Sequence, residues 1–293
     1  MFLSPFANGQ LYYNFYHRSC PKLPMIVKFG VWEAVENDTR MAALHFHDCF
    51  VNKNALPNHN SARGFEVIDK IKADVERACP STVSCVGILT LVASDAVVQA
   101  GGFPWQVPLG RRDGLTASEK AANEQLPSPF EPLLENITGK FASKGLDLKD
   151  VVVLSVAHTT GFAQCFTFKR RLFNFKGSDK PDPTLDSSLL SSLRSTFPNV
   201  DSSNSQLAPP DSATSSMFDN AYYKNLVSNS GLLKSDQALM GDLKTSSMIN
   251  SYSMYPFLFS KDFGESMVKP GYVGVVTRSF LLFLFYYFME LWS

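Results

Sequence analysis

The sequence predicts a mostly α-helical protein built as a single domain. Apolar residues recur every three or four positions in several segments, which is the spacing of one face of a helix. Helical patterns resume on both sides of the Gly-, Pro- and Ser-rich stretches, so none of these stretches looks like a domain linker. The 293 residues, 45% of them hydrophobic, are enough to build a sizeable core.

Three segments show the helical pattern most clearly. The segment 62–78 is amphipathic, the segment 83–99 is largely apolar and stops before Gly101, and apolar residues between 133 and 141 lead to Gly145. A glycine just after the last apolar position is a typical end of a helix. We therefore expect a helix in each segment.

A further apolar run ends at His158. Asp147 precedes this run, and the sequence Asp147-Leu-Lys-Asp predicts an N-cap followed by the first turn of a helix. On periodicity alone the run 151–157 could be a short strand, but the cap and the length through His158 favour a buried helix. The polar stretches 176–184 and 198–216 are predicted loops.

Charge and cysteine usage exclude several kinds of function. Lys plus Arg and Asp plus Glu both number 27, which gives no support for a nucleic-acid or anionic-membrane surface. No two cysteines form a CxxC pair, so a structural zinc site is not expected. An odd number leaves at least one thiol unpaired among the five cysteines, which are Cys20, Cys49, Cys79, Cys85 and Cys165.

The two ends of the chain are expected to be atypical. The first ten residues lack the basic and long apolar regions of a complete signal peptide. The last segment, 280–293, is almost wholly apolar but shorter than the roughly 20 residues that span a bilayer. A buried or artefactual tail is favoured over a membrane anchor.

Two of the five histidines lie in contexts that suggest chemistry. His47 lies in the cluster His-Phe-His-Asp-Cys, which crowds titratable groups together, and His158 follows a buried run. A buried histidine needs a partner for its second nitrogen. If the first nitrogen binds a metal, a carboxylate at the second would raise the basicity of the ring.

The sequence resembles the class III secretory plant haem peroxidases. Eight stretches match the blocks of that family in order: LHFHDCFVN (44–52), NSARGFEVID (60–69), ACPSTVSC (78–85), VPLGRRDG (107–114), VVVLSVAHTTGFAQC (151–165), PDPTLD (181–186), MFDNAYYKNL (217–226) and GLLKSDQAL (231–239). The resemblance implies a haem peroxidase fold, in which distal and proximal helical halves enclose haem b. It covers one domain over about 1–279, followed by the divergent tail 280–293.

The resemblance assigns the residues of the haem site. His158 matches the proximal ligand of the haem iron, and Asp236 matches the carboxylate that is bonded to it. His47 matches the distal acid-base residue, and Asn58 matches the residue that orients it. Pro127 matches a residue at the entrance for the reducing substrate.

Calcium sites are also implied by the resemblance. Oxygen ligands suit Ca²⁺, and the proximal site is matched by Thr159, Asp211, Thr214, Met217 (through its carbonyl) and Asp219. Without the resemblance, Asp211 and Asp219 would be interpreted as solvated loop residues. Only Asp48 and Val51 remain of the distal calcium ligands.

The chain departs from the family pattern around the distal residues. The family has an arginine four residues before the distal histidine, where this chain has Ala43, as if one helical turn were deleted near 43–44. Arg40 is seven residues before His47, about 10 Å along a helix axis. A second deletion near 52–53 removes most distal calcium ligands.

Disulfide pairing is reduced as well. Cys20 and Cys79 match a disulfide pair of the family. At the position where the family has the partner of Cys165, this chain has Phe197. Cys49 lost its partner with the deletion, and Cys85 lost its partner with the divergent C-terminus. Each lost disulfide typically costs a few kcal/mol of stability.

Two functions follow as hypotheses. The first is an extracellular or cell-wall peroxidase that uses hydrogen peroxide to oxidise phenolic or similar small aromatic donors. It is expected to be a monomer without nucleic-acid or membrane partners. The second is a degenerate, non-catalytic relative that binds haem or calcium and lacks the distal arginine. A membrane-associated interaction protein is a third reading, which rests on the apolar tail alone.

Overall fold

The computed structural model describes residues 11–37, 64–113 and 134–272, and these residues are mostly helical. Their α-helices are α1 Leu23–Asn37, α2 Phe65–Ala78, α3 Cys85–Gln99, α4 Leu134–Ala142, α5 Leu148–Leu154, α6 Cys165–Phe173, α7 Ser187–Thr196, α8 Ala221–Val227, α9 Lys234–Ala238, α10 Leu243–Met254 and α11 Pro256–Tyr272. Short 3₁₀ turns cover Ser155–Thr159, Phe175–Gly177, Asp201–Ser203 and Leu239–Gly241. The strands β1 Ala163–Gln164 and β2 Leu207–Ala208 form one antiparallel pair.

The first core lies between α1, α2 and α3. Their apolar faces meet around fully buried residues such as Val27, Ile71 and Val92. A disulfide between Cys20 and Cys79 joins the segment before α1 to the end of α2. This is the pair that the family resemblance implies.

The second core surrounds α5. Helices α4, α8, α10 and α11 pack against α5 or against the 3₁₀ turn that follows it. Every residue of the run 151–157 is buried, which explains why that run contains no polar face. Trp105 and Met267 pack against both this core and the first one, so the two cores are in contact.

A third, smaller core holds α6 and α7 together. Phe168 and Leu172 of α6 lie against Leu193 and Phe197, with Leu233 completing the cluster. Leu233 directly precedes α9. The third core therefore fixes the approach to that short helix.

Local signals explain where α5 begins. The Asp147 carboxylate accepts from the Asp150 backbone N–H at 2.9 Å, and the Asp150 carboxylate accepts from the Asp147 N–H at 2.8 Å, which is a capping box. Gly145 precedes it with a φ of +76°, a conformation that favours glycine at a helix end. The predicted cap and the predicted stop are both confirmed.

The predicted helical class is confirmed over the part of the chain that the structure describes. The predicted loop 198–216 does contain more regular structure than expected, because β2 pairs with β1 and the Cys165 N–H donates to the Gln206 carbonyl at 2.8 Å. The predicted loop 176–184 overlaps the end of a 3₁₀ turn. Among the described helices, none is both long and apolar enough to cross a membrane.

Candidate active site

His158 lies at the end of the buried run that begins with α5. The α-helix changes to a 3₁₀ turn at Ser155, and the Ser155 hydroxyl donates to the Val151 carbonyl at 2.8 Å. His158 is the fourth residue of this turn and is fully buried. The start of α5 is anchored by α11, where Lys269 and Ser266 both bond to the Asp150 carboxylate.

His158 forms a hydrogen-bonded pair with Asp236, which lies 78 positions later in the chain, on α9. The distance from His158 Nδ1 to Asp236 Oδ1 is 2.8 Å, and both side chains are buried. A carboxylate at Nδ1 selects the tautomer in which Nδ1 donates and Nε2 carries the lone pair. That lone pair is the one that an imidazole offers to a metal, so this donor set fits a haem iron.

Asp236 is held in place by a buried arginine. Arg171 Nε donates to Asp182 Oδ2 at 2.9 Å, and Nη1 donates to the carbonyl oxygens of Gly231, Leu232 and Leu233. Those three carbonyls belong to the segment that leads into α9. The arginine therefore fixes the backbone that presents Asp236 to His158.

Burial and neighbouring charges shift the pKa values of Arg171 and Asp182. Burial lowers the pKa of Arg171, and the carboxylates of Asp182 and Asp236 oppose that shift. Burial tends to raise the pKa of Asp182, but hydrogen bonds from Thr184 and Arg171 outweigh it and leave that pKa below its usual value. The guanidinium thus remains a buried positive charge near Asp236.

Sequence reasoning missed Arg171. A signal was present, because Arg171 lies three residues after Phe168 and next to Leu172, on the apolar side of an amphipathic helix. A charged residue on such a side requires a buried partner. Its partner Asp182 lies in one of the matched blocks, PDPTLD.

Four of the five predicted calcium residues bring side-chain oxygens together. Asp211 Oδ2 accepts from the hydroxyls of Thr159 and Thr214, both at 3.0 Å, and the Thr214 hydroxyl also lies 3.2 Å from Asp219 Oδ1. Asp211 and Thr159 are fully buried. The side chain of Met217 is exposed, and its N–H closes a turn onto the Thr214 carbonyl at 2.8 Å.

The Asp211 carboxylate is oriented by its other oxygen. Oδ1 accepts from the Ala213 N–H at 2.9 Å, the Thr214 N–H at 3.3 Å and the Asn225 amide at 3.0 Å. This arrangement directs Oδ2 to the threonine hydroxyls. Hydroxyl and carboxylate oxygens at these separations suit a hard cation such as Ca²⁺.

Other metal sites are not evident in the described ranges 11–37, 64–113 and 134–272. No group of three or more His, Cys, Asp or Glu that could hold a metal occurs there. The oxygen set around Asp211 contains two carboxylates, so its remaining ligands would be hydroxyl and carbonyl oxygens.

The cysteine of the third core is not in a disulfide. Cys165 is a buried thiol in the same apolar cluster as Phe197, and the Phe197 ring packs edge-to-face on Phe168 at 5.3 Å between centroids. Burial raises the pKa of the Cys165 thiol, and the nearby Lys169 opposes that shift. Phe197, which stands where the family has the disulfide partner of Cys165, thus contributes aromatic packing instead.

Several predicted site residues lie outside the described residues. These are His47, Asn58, Pro127, Asp48 and Val51, together with Ala43, Arg40, Cys49 and the tail 280–293. Their roles remain predictions from the sequence.

Comparison with known proteins identifies the family. A family model described as peroxidase matches residues 27–254. Peroxidase 10 of Arabidopsis thaliana is 60% identical over 294 residues, which cover 92% of this chain and 84% of that protein. Peroxidase N of Armoracia rusticana is 49% identical over 287 residues, covering 90% of this chain and 87% of that protein. The chain therefore belongs to the peroxidase family, among the class III plant peroxidases whose motifs its sequence carries.

Proposed function

We propose that this protein is a haem peroxidase that uses hydrogen peroxide to oxidise phenolic or similar small aromatic donors. The observation that carries the proposal is the buried pair of His158 and Asp236, whose Nδ1 and Oδ1 atoms lie 2.8 Å apart. Membership of the peroxidase family and the relatives named peroxidases support the same reaction.

His158 would hold haem b through Nε2. When bound, the haem would supply the iron that reduces peroxide and the oxidising power that is passed to the donor. Asp236 accepts the Nδ1 proton and makes the imidazole more anionic, which strengthens electron donation from Nε2. Arg171 keeps Asp236 in position by holding the backbone at 231–233.

The distal side of the site follows from the sequence. His47 would take a proton from peroxide and return it to the leaving oxygen, with Asn58 holding the imidazole in the required tautomer. Pro127 would line the entrance for the donor. The alternative of a non-catalytic relative rests on Ala43 in place of arginine; nothing among the described residues favours it.

The family resemblance supports the remaining assignments. Thr159, Asp211, Thr214, Met217 and Asp219 would bind one structural calcium ion, whereas Asp48 and Val51 would not suffice for a second. The peroxidase domain would span 1–279 and act as a monomer, extracellularly or in the cell wall, as the family resemblance implies.

Haem reconstitution with an absorbance titration by peroxide tests the proposal. The unmodified protein should bind haem and change its spectrum with peroxide and then with a phenolic donor. His158→Ala should abolish ordinary haem ligation, while His17→Ala, at an exposed histidine, should not. If His158→Ala keeps the unmodified spectrum and affinity, His158 is not the ligand.

Replacement of Asp236 by Asn separates orientation from charge. The amide oxygen can still accept from Nδ1, but it is neutral, so the iron–histidine bond should weaken. The iron–nitrogen stretching frequency, measured by resonance Raman spectroscopy, should fall while haem remains bound. An unchanged frequency would remove Asp236 from the proposed role.

A further inference from the structure

A continuous line of aromatic rings leads away from His158. Tyr222 packs edge-to-face on the His158 ring with 5.8 Å between centroids, Tyr223 lies 5.3 Å from Tyr222, and Tyr252 lies 5.2 Å from Tyr223. All three tyrosines are buried. Closely packed rings that can be oxidised provide a route for electrons through the interior.

The hydroxyl groups along this line differ in their acceptors. Tyr223 donates to the backbone carbonyl of Val152 at 3.3 Å, and a carbonyl does not take up a proton at ordinary pH. Tyr252 donates to Asp262 Oδ2 at 2.7 Å, and a carboxylate does take up a proton. Of these two tyrosines, only Tyr252 has a base in place.

The acceptor at Tyr252 matters because a buried phenol does not ionise by itself. Burial raises the pKa of Tyr223 well above its ordinary value. Burial also raises the pKa of Tyr252, and the bonded Asp262 raises it further. A phenol that loses an electron becomes strongly acidic, so its oxidation is favoured where a base can take the proton at once.

Asp262 connects Tyr252 to the protein surface. Asp262 Oδ1 lies 2.8 Å from the ammonium group of Lys149, which stabilises the charged carboxylate. Lys149 is 38% exposed and lies 3.8 Å from Glu265. A proton accepted by Asp262 can therefore exchange with solvent at this ion pair.

We propose that Tyr252 is a second oxidation site of this protein, linked to the haem pocket by Tyr223 and Tyr222, with Asp262 as its proton acceptor. The proposal rests on the proposed peroxidase function, which supplies the oxidant. Tyr252 gives one electron through Tyr223 and Tyr222 to the peroxide-oxidised haem, and its O–H bond breaks. The proton passes to Asp262, which leaves a neutral Tyr252 phenoxyl radical and a haem reduced by one electron. The site draws oxidising equivalents away from the haem when no donor is present.

A branch toward Trp105 is the competing route. From Tyr223 it passes to Phe259 at 5.7 Å, then to Phe218 at 5.9 Å and Phe263 at 4.7 Å, and Trp105 lies 5.6 Å from Phe263. Phenyl rings are much harder to oxidise than phenols. Three phenyl rings therefore lie between Trp105 and the tyrosines. Tyr252, by contrast, packs directly on Tyr223.

Freeze-quench electron paramagnetic resonance tests the site. The haem-loaded protein is mixed with one equivalent of hydrogen peroxide without donor, and in parallel with peracetic acid, whose better leaving group depends less on the distal residues. A tyrosyl radical signal is expected. Tyr252→Phe keeps the ring and removes the hydroxyl, so it should abolish that signal and prolong the absorbance spectrum of the oxidised haem.

Three further variants complete the test. Asp262→Asn keeps an oxygen acceptor but cannot take the proton, so it should also suppress the signal. Trp105→Phe and Tyr255→Phe, the latter at an exposed tyrosine three residues further on, should leave it unchanged. Haem absorbance and circular dichroism of each variant report that the fold is retained.

The outcomes separate this proposal from the proposed function. Three outcomes would overturn the Tyr252 site alone. They are a full tyrosyl signal in Tyr252→Phe, a tryptophanyl signal that is lost in Trp105→Phe, and the absence of any protein radical while the haem spectrum responds. A chain that takes up no haem, or whose haem responds to neither oxidant, would overturn the peroxidase function and remove the source of the oxidising equivalent.

Discussion

Arg171 and Asp182 form an ion pair in the protein interior, with 2.9 Å between Nε and Oδ2 and both side chains 3% exposed. Such a pair costs solvation energy in both partners. Here the cost is offset by the three carbonyls that Arg171 also binds, so the pair serves to hold the segment before Asp236. The site at His158 thus depends on a residue that acts through the backbone at 231–233, which leads to Asp236.

Replacing Arg171 should strongly destabilise the protein. Arg171→Met leaves the Asp182 carboxylate buried without its cation, which typically costs about 3–5 kcal/mol of unfolding free energy. Urea unfolding followed by circular dichroism measures the change. Arg170→Met, at the exposed neighbouring arginine, is the control and should change stability by at most about 0.5 kcal/mol. Equal effects of the two variants would contradict the structural role.

Calcium should stabilise the folded protein through the site at Asp211. Metal analysis should find about one calcium ion per folded chain, since the sequence retains all the predicted proximal ligands but only two of the distal ones. Asp211→Asn removes the central charge and should abolish calcium binding, and a chelator should then no longer lower the midpoint of thermal unfolding. In the unmodified protein, calcium at 100-fold its Kd should raise the free energy of unfolding by about 2.7 kcal/mol.

Asp201→Asn, at an exposed position in a 3₁₀ turn, is the control for this prediction and should retain the ion. Two tightly held calcium ions would mean that the distal remnant Asp48 and Val51 is completed by other residues. No chelator-dependent shift in the unmodified protein would remove calcium from the proximal site.

Asp95 should make stability fall as pH rises. Burial raises its pKa from 3.8 to about 6, with the charge of Lys28 opposing the shift. Because the folded pKa exceeds the unfolded one, the folded state binds the proton more tightly. The resulting stabilisation is complete below 3.8 and is lost as pH rises through about 6.

Asp95→Asn imitates the protonated form at every pH. It should raise the unfolding free energy near neutral pH by on the order of 1 kcal/mol, a figure reduced for the partial exposure of the side chain. The gain should vanish in urea unfolding at about pH 4. Asp69→Asn, at an exposed position on α2, is the control and should change stability by at most about 0.5 kcal/mol. A gain of the same size at both pH values would rule out titration of Asp95 as its cause.

The sequence predicted best those features that are set by neighbouring residues. Asp147, the capping box and the apolar run through Ala157 lie within one short segment, so the helix that leads to His158 was readable from local pattern. The pairing of His158 with Asp236 needed the family resemblance. The two residues are 78 positions apart, and no local pattern relates them.

Features that depend on packing between separate structural elements were not readable. The change from α-helix to 3₁₀ turn at Ser155 follows no local breaker such as Gly or Pro. The ion pair of Arg171 with Asp182 and the bond from Tyr252 to Asp262 arise because separate elements meet in the core. A residue pattern signals that such groups need partners but does not choose the partner.

Peroxide activation should be slow in the unmodified protein, even when haem binds normally. The distal residues concerned lie outside the described residues, so this prediction rests on the sequence. His47 supplies proton transfer, which is typically worth about 10²–10⁴-fold in rate. A cation beside the peroxide stabilises charge that develops on the leaving oxygen, and Ala43 cannot supply one.

Placing an arginine four residues before His47, by restoring the missing turn, should therefore raise the rate of the first oxidation step by about 10²–10³-fold, the usual worth of one preorganised donor. Stopped-flow absorbance measures this rate. Arg40→Ala in the unmodified chain is the matched control, and it should leave the rate unchanged if Arg40 is too remote to act. If the unmodified chain already reacts as fast as the restored one and Arg40→Ala slows it, Arg40 supplies the missing charge and the distal pocket is complete.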